Sequence, residues 1–289
     1  MDEFDLSQLK KLYIPPPASH KGQNGKLMVI GGSRLFHAAS LWSLKVASRI
    51  LDMVYYSSVP ENNEIVQRAK QEFRNGIIVK RKNLDSYINE ADCILIGPGL
   101  PRIEGQEVGD DDTKELTESL LKKYPEKKWV IDGGSLQVLD PEVLLFLKEP
   151  ILTPHVKEFE LLKLKVKNSK LKITIQKSKL EEQVKLFAQH YNCTMLLKGP
   201  IDIVCSPEKC IEIPGGNAGM TKGGTGDVLA GLVAALYCKN DDQFLCATSG
   251  SYINKKAGES LFKKVGYYFN ASDLADEIPR VMKELLIEK

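Results

Sequence analysis

Five short apolar segments, each closed by glycine or proline, constrain the fold of this 289-residue chain more than any other feature. Such runs between turn formers are typical of β-strands. Their continuous rather than alternating apolar character indicates a sheet that is covered on both faces. The predicted strands occupy residues 26–30, 93–96, 129–131, 150–152 and 194–197.

Helical patterns separate these segments, with apolar residues recurring at helical spacing in 38–51, 113–123, 179–190 and 228–237. Strand followed by helix, repeated along the chain, predicts a mostly parallel sheet with right-handed crossovers. Ligands of such sheets collect outside the carboxyl ends of the strands, where the glycine-bearing turns lie. We therefore expect a single α/β domain over residues 1–289 with one active-site cleft, residues 1–20 being a lead-in.

Charge and composition argue against several classes of partner. Forty basic and 38 acidic residues leave a net charge of +2, without the strongly basic balance of nucleic-acid-binding proteins. No apolar run reaches the roughly 18 residues of a membrane span, and the acidic start of the chain is no secretory signal. The six cysteines form no CxxC pair, so we interpret them as mostly buried free thiols and expect a cytoplasmic protein.

Three charged segments are predicted to lie on the protein surface. The mixed charges of 114–128 and 255–264 are interpreted as solvated helix faces. Residues 102–112, which end in three consecutive aspartates, are predicted to be a mobile surface loop, with a cation site as the alternative.

The strongest chemical signal is the glycine-rich segment PGGNAGMTKGGTGD at 214–227, which leads into an apolar helix. Glycines let the backbone approach an anion closely, and the helix N-terminus offers free amides and a positive dipole end. Asp227 stands at the start of that helix, where it suits a general base that takes a proton from an acceptor hydroxyl during phosphoryl transfer. The alternative is a helix N-cap. The spacing is not that of a Walker A loop.

Residues 223–227 resemble the anion-hole and base motif of ribokinase-like kinases, and four further segments narrow the resemblance. Taken together, the segments resemble the ADP- or ATP-dependent NAD(P)H-hydrate dehydratases over residues 21–280. An epimerase domain often precedes this module, and we expect none here. The four segments are KGQNGK at 21–26 with VIGGS at 29–33 and the pair Ala38-Ala39, IGPGL at 96–100, IDGGSL at 131–136, and LTPH at 152–155.

The resemblance implies a ribokinase-like three-layer α/β/α sandwich and a repair reaction on NADHX and NADPHX, nicotinamide cofactors hydrated at C6. ADP or ATP, with Mg²⁺, would phosphorylate the C6 hydroxyl, and phosphate would then leave to restore NADH or NADPH. The resemblance also implies a homo-oligomer, either a dimer or a tetramer.

The resemblance assigns roles to individual residues. Asp227 matches the catalytic aspartate, which also contacts the hydrate, and the anion hole corresponds to Gly223, Gly224, Thr225 and Gly226. The hydrate contacts fall on Ala39, Gly99 and His155. The predicted nucleotide contacts are Lys198, Gly199, Pro200, Ile201, Asp202, Asn217 and Gly226. Asp132 and Glu158 are either metal-linked carboxylates or turn and helix-start residues, and no metal ligand is assigned.

The chain departs from the family pattern at several places, including the Thr-Pro-His turn and the end of the strand that contacts the nucleotide. Val156 and Lys157 stand where Pro-Gly usually follows Thr-Pro-His, and Asp202 stands where threonine is usual, which brings an acidic side chain near the phosphates. A ribokinase-like kinase of a small alcohol (a hydroxymethylpyrimidine, a hydroxyethylthiazole or a sugar) shares the GGTGD chemistry and is the alternative function. A nucleotide-binding protein without turnover is a third hypothesis, against which the intact Asp227 argues.

Overall fold

The computed structural model describes residues 2–69, 75–102 and 106–288. Over these residues, ten strands form one sheet in the order β1-β10-β9-β8-β7-β6-β5-β2-β3-β4. The seven strands from β8 to β4 in this order are parallel, while β9 is antiparallel to both of its neighbours. The strands are β1 (Asp2–Glu3), β2 (Lys26–Ile30), β3 (Met53–Ser57), β4 (Ile77–Ile78), β5 (Cys93–Ile96), β6 (Lys128–Ile131), β7 (Ile151–Leu152), β8 (Thr194–Leu197), β9 (Asp202–Cys205) and β10 (Cys210–Ile213).

Helices cover both faces of the sheet, as the continuous apolar runs predict. In β2, Leu27 and Val29 face one buried core while Met28 and Ile30 face the other, because successive side chains of a strand point to opposite faces. The fold is the expected α/β/α sandwich. The described helices are α1 (Ala38–Ala47), α2 (Pro60–Ala69), α3 (Leu84–Glu90), α4 (Thr113–Lys123), α5 (Gly133–Val138), α6 (Val156–Leu164), α7 (Ser169–Lys177), α8 (Leu180–Tyr191), α9 (Thr225–Lys239), α10 (Gln243–Val265) and α11 (Ala271–Leu286).

The five predicted strands are confirmed as β2, β5, β6, β7 and β8, and the four predicted helices as α1, α4, α8 and α9. Helix α1 ends at Ala47, four residues before the predicted end. Among the elements without a counterpart in the prediction are helix α11 and strands β1, β3, β4, β9 and β10. Of α10, only residues 255–264 were interpreted as part of a helix. Strand β3 is buried but lacks the glycine that closes the other runs, so its boundaries are not marked in the sequence.

The cysteine prediction is right for four residues and wrong for two. Cys93, Cys193, Cys238 and Cys246 are free and buried. Cys205 and Cys210 instead form a disulfide. The reason is the register of the β9–β10 hairpin, which sets these two residues directly opposite each other.

The three aspartates of the segment predicted to be a mobile surface loop have specific partners within the protein. Asp110 accepts from the backbone N–H of Arg34 at 2.8 Å, Asp111 pairs with Arg81, and Asp112 caps α4 through the N–H of Glu115 at 2.9 Å. Residues 103–105 of that segment lie outside the described ranges. In the described part of the chain, no helix combines the length and apolar character needed to cross a membrane.

Helix α9 is the buried centre of the helical layer that it shares with α1, α10 and α11. It lies so close to α1 that a Cβ atom on Gly231 would stand 2.6 Å from Cα of Ser43. The hydroxyl of Ser43 also donates to the carbonyl oxygen of Asp227 at 2.7 Å. This close packing fixes the first turn of α9 relative to the sheet.

We expect Gly231→Val to lower the free energy of unfolding by about 2 kcal/mol or more, because backbone atoms of α1 cannot yield to the added methyl groups. Urea unfolding followed by circular dichroism measures this change. Gly223→Val is the matched control, since a Cβ at Gly223 meets no described atom within 4 Å. Equal midpoints for the two variants would show that the α1–α9 contact tolerates expansion.

Candidate active site

The candidate site is a cleft of about 630 Å³ at the carboxyl ends of the central strands, beside the N-terminus of α9. Most of the predicted nucleotide contacts line it. Ile201 is not among the lining residues and is half exposed. The structure therefore brings together Lys198, Gly199, Pro200, Asp202, Asn217, Thr225 and Gly226, with His155 at the same cleft.

The glycine-rich loop ends in a helix that no described side chain caps. Gly224 is the N-cap, with φ of +94°, and a Cβ there would stand 2.3 Å from the ring of Trp42. A left-handed, tightly packed position of this kind requires glycine. Asp227 is the third residue of α9, so the alternative that it is the N-cap is wrong. In the first turn of α9, the N–H of Thr225 makes only a long bond, 3.4 Å, to the carbonyl oxygen of Lys222, and the N–H of Gly226 has no acceptor among the described residues. These amides can therefore turn to an anion.

Two charged side chains and a hydroxyl meet beside this helix terminus. Lys198 Nζ lies 2.8 Å from Oδ1 of Asp132, and the hydroxyl of Thr153 donates to the same oxygen at 2.8 Å. Asp132, Thr153 and Lys198 follow β6, β7 and β8, which are neighbours in the sheet. A Cβ on Gly226 would stand 3.3 Å from Lys198 Nζ, so the ammonium group lies against the first turn of α9.

This environment changes the acidity of Asp227. Burial and the nearby charge of Asp132 raise the pKa of Asp227 to about 7, and Lys198 opposes that rise. Burial acts to lower the pKa of Lys198, but Asp132 and Glu158 outweigh it and hold the pKa above its usual value. A carboxyl group that titrates near neutrality is suited to accept a proton during a reaction and release it afterwards.

His155 and Glu158 form a capping box at the start of α6. The N–H of Glu158 donates to Nδ1 of His155 at 3.2 Å, and the N–H of His155 donates to the carboxylate of Glu158 at 2.9 Å. This pair fixes the turn at Val156 and Lys157, where the chain departs from the family pattern. The Nε2 atom of His155 lies 3.5 Å from the Glu158 carboxylate, and the half-exposed ring lines the cleft.

Asp202 is neutralised within the protein. One oxygen accepts from the N–H of Gly199 at 2.9 Å and lies 3.4 Å from the ammonium group of Lys255, and the other accepts from the hydroxyl of Ser251 at 2.6 Å. Lys255 also donates to the carbonyl oxygens of Gly199 and Pro200. The acidic residue at this position therefore holds the loop after β8, with Lys255 balancing its charge.

Two residues of α10 belong to the cleft although sequence reasoning missed them. Asn254 and Lys255 line it, and both are about 95% buried, whereas 255–264 was interpreted as a solvated face. The Oδ1 atom of Asn254 has no hydrogen-bond partner among the described residues. A helically spaced stripe of small and polar residues was the available signal, comprising Ser251, Asn254, Lys255 and Gly258.

Ala39 and Gly99, the other predicted hydrate contacts, touch each other next to this site. A Cβ on Gly99 would stand 3.0 Å from Cβ of Ala39. Ala39 lies one helical turn before Ser43, whose hydroxyl holds the first turn of α9. The two residues thus lie on the side of Asp227 toward β5 and β2, away from the 630 Å³ cleft.

The mostly parallel sheet with helices on both faces has the ribokinase-like fold, as solved structures show. A ribokinase-like protein of Enterococcus faecalis superposes with a TM-score of 0.82 at 22% identity, covering 98% of this chain and 96% of that one. The ADP/ATP-dependent NAD(P)H-hydrate dehydratase of Bacillus subtilis, co-crystallised with ATP and Mg²⁺, has a TM-score of 0.77 at 23% identity, covering 98% of each chain.

Sequence comparison narrows this class to one family. The NAD(P)H-hydrate dehydratase family model matches residues 27–280. The chain is 32% identical to the ADP-dependent (S)-NAD(P)H-hydrate dehydratase of Nitrosopumilus maritimus, over 95% of each. It is 34% identical to the bifunctional NAD(P)H-hydrate repair enzyme of Methanocaldococcus jannaschii, over 95% of this chain but only 51% of that protein, so it spans about half the length of such relatives. The chain belongs to the NAD(P)H-hydrate dehydratase family.

The charges around Asp227 predict pKa changes of opposite sign in two variants. Removing the negative charge in Asp132→Asn should lower the midpoint of the Asp227 titration from about 7, and removing the positive charge in Lys198→Met should raise it. We expect each change to be about one pH unit or more. Carbon-13 NMR of the carboxyl groups measures the midpoints, with Asp227→Asn identifying the signal. Shifts of the same sign in both variants would contradict this account.

Proposed function

We propose that this protein catalyses the ADP- or ATP-dependent dehydration of (S)-NADHX and (S)-NADPHX to NADH and NADPH. The observation that carries the proposal is Asp227, with its pKa raised to about 7, in the first turn of an uncapped helix beside the ammonium group of Lys198. Membership of the dehydratase family supports the choice of substrate.

In the proposed reaction, the nucleotide occupies the 630 Å³ cleft with its terminal phosphoryl group toward the amides of Thr225 and Gly226. Unprotonated Asp227 takes the proton of the C6 hydroxyl as that oxygen attacks the terminal phosphorus. The bond from phosphorus to the leaving nucleotide oxygen breaks, and ATP yields ADP or ADP yields AMP. The helix amides and Lys198 stabilise the charge on the transferring group.

Elimination follows from the phosphorylated hydrate. The lone pair of the ring nitrogen forms a double bond to C6 as the C6–O bond breaks and phosphate leaves. Water then takes a proton from C5, and the C–H electron pair forms the C5–C6 double bond of the reduced nicotinamide. We infer that Ala39 and Gly99 hold the hydrated ring beside Asp227, since they contact each other on the side of Asp227 away from the nucleotide cleft. We propose that His155, which lines that cleft, contacts the ring where it meets the nucleotide.

The residues beside the proposed phosphate position fit Mg²⁺, which favours oxygen ligands and usually combines one or two carboxylates with phosphate oxygens and water. Asp132 and Glu158 supply such carboxylates. The described residues contain no cluster of three potential ligands, consistent with a cation held largely by the nucleotide. When bound, Mg²⁺ would neutralise charge on the phosphate oxygens. The preferred nucleotide and the homo-oligomeric state remain predictions.

We expect purified protein with Mg²⁺, prepared NADHX and either ADP or ATP to give a rise in absorbance at 340 nm. Asp227→Asn should slow that rise by about 10²- to 10⁴-fold, because the proton acceptor is lost, while nucleotide binding persists. Asp241→Asn is the matched control, since its carboxylate is fully exposed and remote from α9's first turn. A folded protein that binds nucleotide but gives no rise with either donor would contradict the proposal and favour a small-alcohol kinase.

The unpaired side chain of Asn254 leads us to predict that it contacts the nucleotide in the nucleotide cleft. Its free Oδ1 is an acceptor for an adenine amino group or a ribose hydroxyl, so Asn254→Leu should raise the Kd of ADP or ATP about tenfold. Isothermal titration calorimetry measures the Kd. Ser249→Ala on the same helix is the control, because Ser249 Oγ is also buried without a described partner but lies outside the cleft lining. Equal affinities for both variants would exclude Asn254 from nucleotide binding.

A further inference from the structure

A second cleft, of about 750 Å³, lies at the far edge of the sheet beside β3 and β4. The 3₁₀ turn that follows β4 contributes Lys80, Arg81 and Lys82 to its lining, and helix α2 contributes Glu64. The charged lining residues thus comprise three cations and one carboxylate, a balance that favours an anionic ligand.

Arg81 is held in place and is incompletely paired. Its Nε and Nη2 atoms donate to a single oxygen of Asp111, at 3.0 and 2.7 Å. Its Nη1 atom is buried and has no hydrogen-bond partner in the described part of the chain. Buried donors are nearly always satisfied in proteins, and a guanidinium group pairs best with the oxygens of a carboxylate or phosphate. Asp111 thus holds the guanidinium group in place but leaves one of its donors without an acceptor, while the rest of the side chain lines the cleft.

Lys80 and Lys82 flank Arg81 and are exposed. Neither forms an ion pair with any residue in the described ranges, in contrast to Arg34 nearby, which pairs with Glu61. Unpaired ammonium groups on either side of a fixed guanidinium increase the attraction for a multiply charged group.

A continuous row of buried polar contacts connects this cleft with the proposed hydrate position. The hydroxyl of Ser58, which lines the cleft, accepts from Asn62 at 2.9 Å. Asn62 also donates to the hydroxyl of Tyr56 at 2.8 Å, and Tyr56 contacts the hydroxyl of Ser40 at 2.8 Å. Ser40 follows Ala39 directly. These buried hydrogen bonds therefore form a continuous chain between the Ala39 side of the candidate active site and the cleft lined by Arg81.

Strand spacing sets the distance between the two ends of this hydrogen-bonded chain. The hydrated ring beside Ala39 and Gly99 would lie after β2 and β5. The sheet order β5-β2-β3-β4 contains three steps, so at about 4.8 Å per step the span to β4 is at most roughly 14 Å. The far half of an extended dinucleotide can bridge such a span.

We propose that Lys80, Arg81 and Lys82 bind a phosphate group in the adenosine diphosphate half of the hydrated dinucleotide. This inference rests on the proposed function for the identity of the ligand. Two phosphates share the required chemistry: the diphosphate bridge, present in NADHX and NADPHX alike, and the 2′-phosphate, which only NADPHX carries.

The test is the double variant Lys80→Ala/Lys82→Ala, together with Arg81→Lys, assayed at 340 nm with NADHX and with NADPHX. We expect the KM to rise about tenfold with kcat unchanged, because charge-assisted contacts to bound substrate are lost away from the reacting atoms. A rise for NADPHX alone identifies the 2′-phosphate, and equal rises for both identify the diphosphate. The control is Lys177→Ala/Lys179→Ala, which removes two exposed lysines with the same spacing elsewhere. An unchanged KM for both substrates in both test variants overturns the proposal.

Calorimetry separates this inference from the proposed function. With ADP saturating the 630 Å³ cleft, adenosine 2′,5′-bisphosphate should bind the unmodified protein and bind at least tenfold more weakly to Lys80→Ala/Lys82→Ala. Binding that depends on these lysines in a protein without dehydration activity would support the phosphate site and contradict the proposed function. Dehydration activity whose KM does not depend on the two lysines, with no lysine-dependent binding, would support the proposed function and contradict the phosphate site.

Discussion

The ion pair between Lys198 and Asp132 is the interaction on which the candidate site depends. It joins the ends of β6 and β8 across β7, with Thr153 of the intervening strand end donating to the same carboxylate oxygen. Removing one partner of a buried pair leaves an uncompensated charge, which is strongly destabilising. Here the ammonium group also contacts the first turn of α9, so the pair couples the strand ends to the helix that carries Asp227.

The glycine-rich loop resolves a conflict between packing and binding. Helix α9 must lie close to α1 to be buried, and Gly224 and Gly231 make that approach possible at its two contact points. A side-chain cap would satisfy the first-turn amides but would remove them as donors for phosphate. The chain uses a glycine N-cap instead. Two hydroxyls stabilise the turn without using its amides: that of Ser43 donates to the carbonyl oxygen of Asp227, and that of Thr225 donates to carbonyl oxygens of the preceding loop.

Local sequence signals predicted the parts of the site that depend on local geometry. Glycine after an apolar run marked the strand ends, and the GGTGD motif marked the helix terminus, because turn chemistry is specified by adjacent residues. Asp202 pairs with Ser251 and Lys255, which are about 50 positions away in the sequence. The residues next to Asp202 do not reveal this pairing, so its negative charge was expected to disfavour a nearby phosphate. The Cys205–Cys210 disulfide likewise depends on a hairpin register that spacing alone did not specify.

In the functions proposed above, the two clefts bind anions by different physical means, and the difference suits different tasks. Backbone amides at the α9 terminus are fixed and cannot follow a moving ligand, so they stabilise charge only where it develops, which is what a transferring phosphoryl group requires. Lys80 and Lys82 are flexible and exposed, and they tolerate several positions of a phosphate that does not react. Arg81, which Asp111 holds in one orientation, is intermediate in flexibility between the fixed amides and the two lysines. A rigid reacting end and an adaptable distal end allow the binding of a long substrate to be adjusted without disturbing the geometry around Asp227.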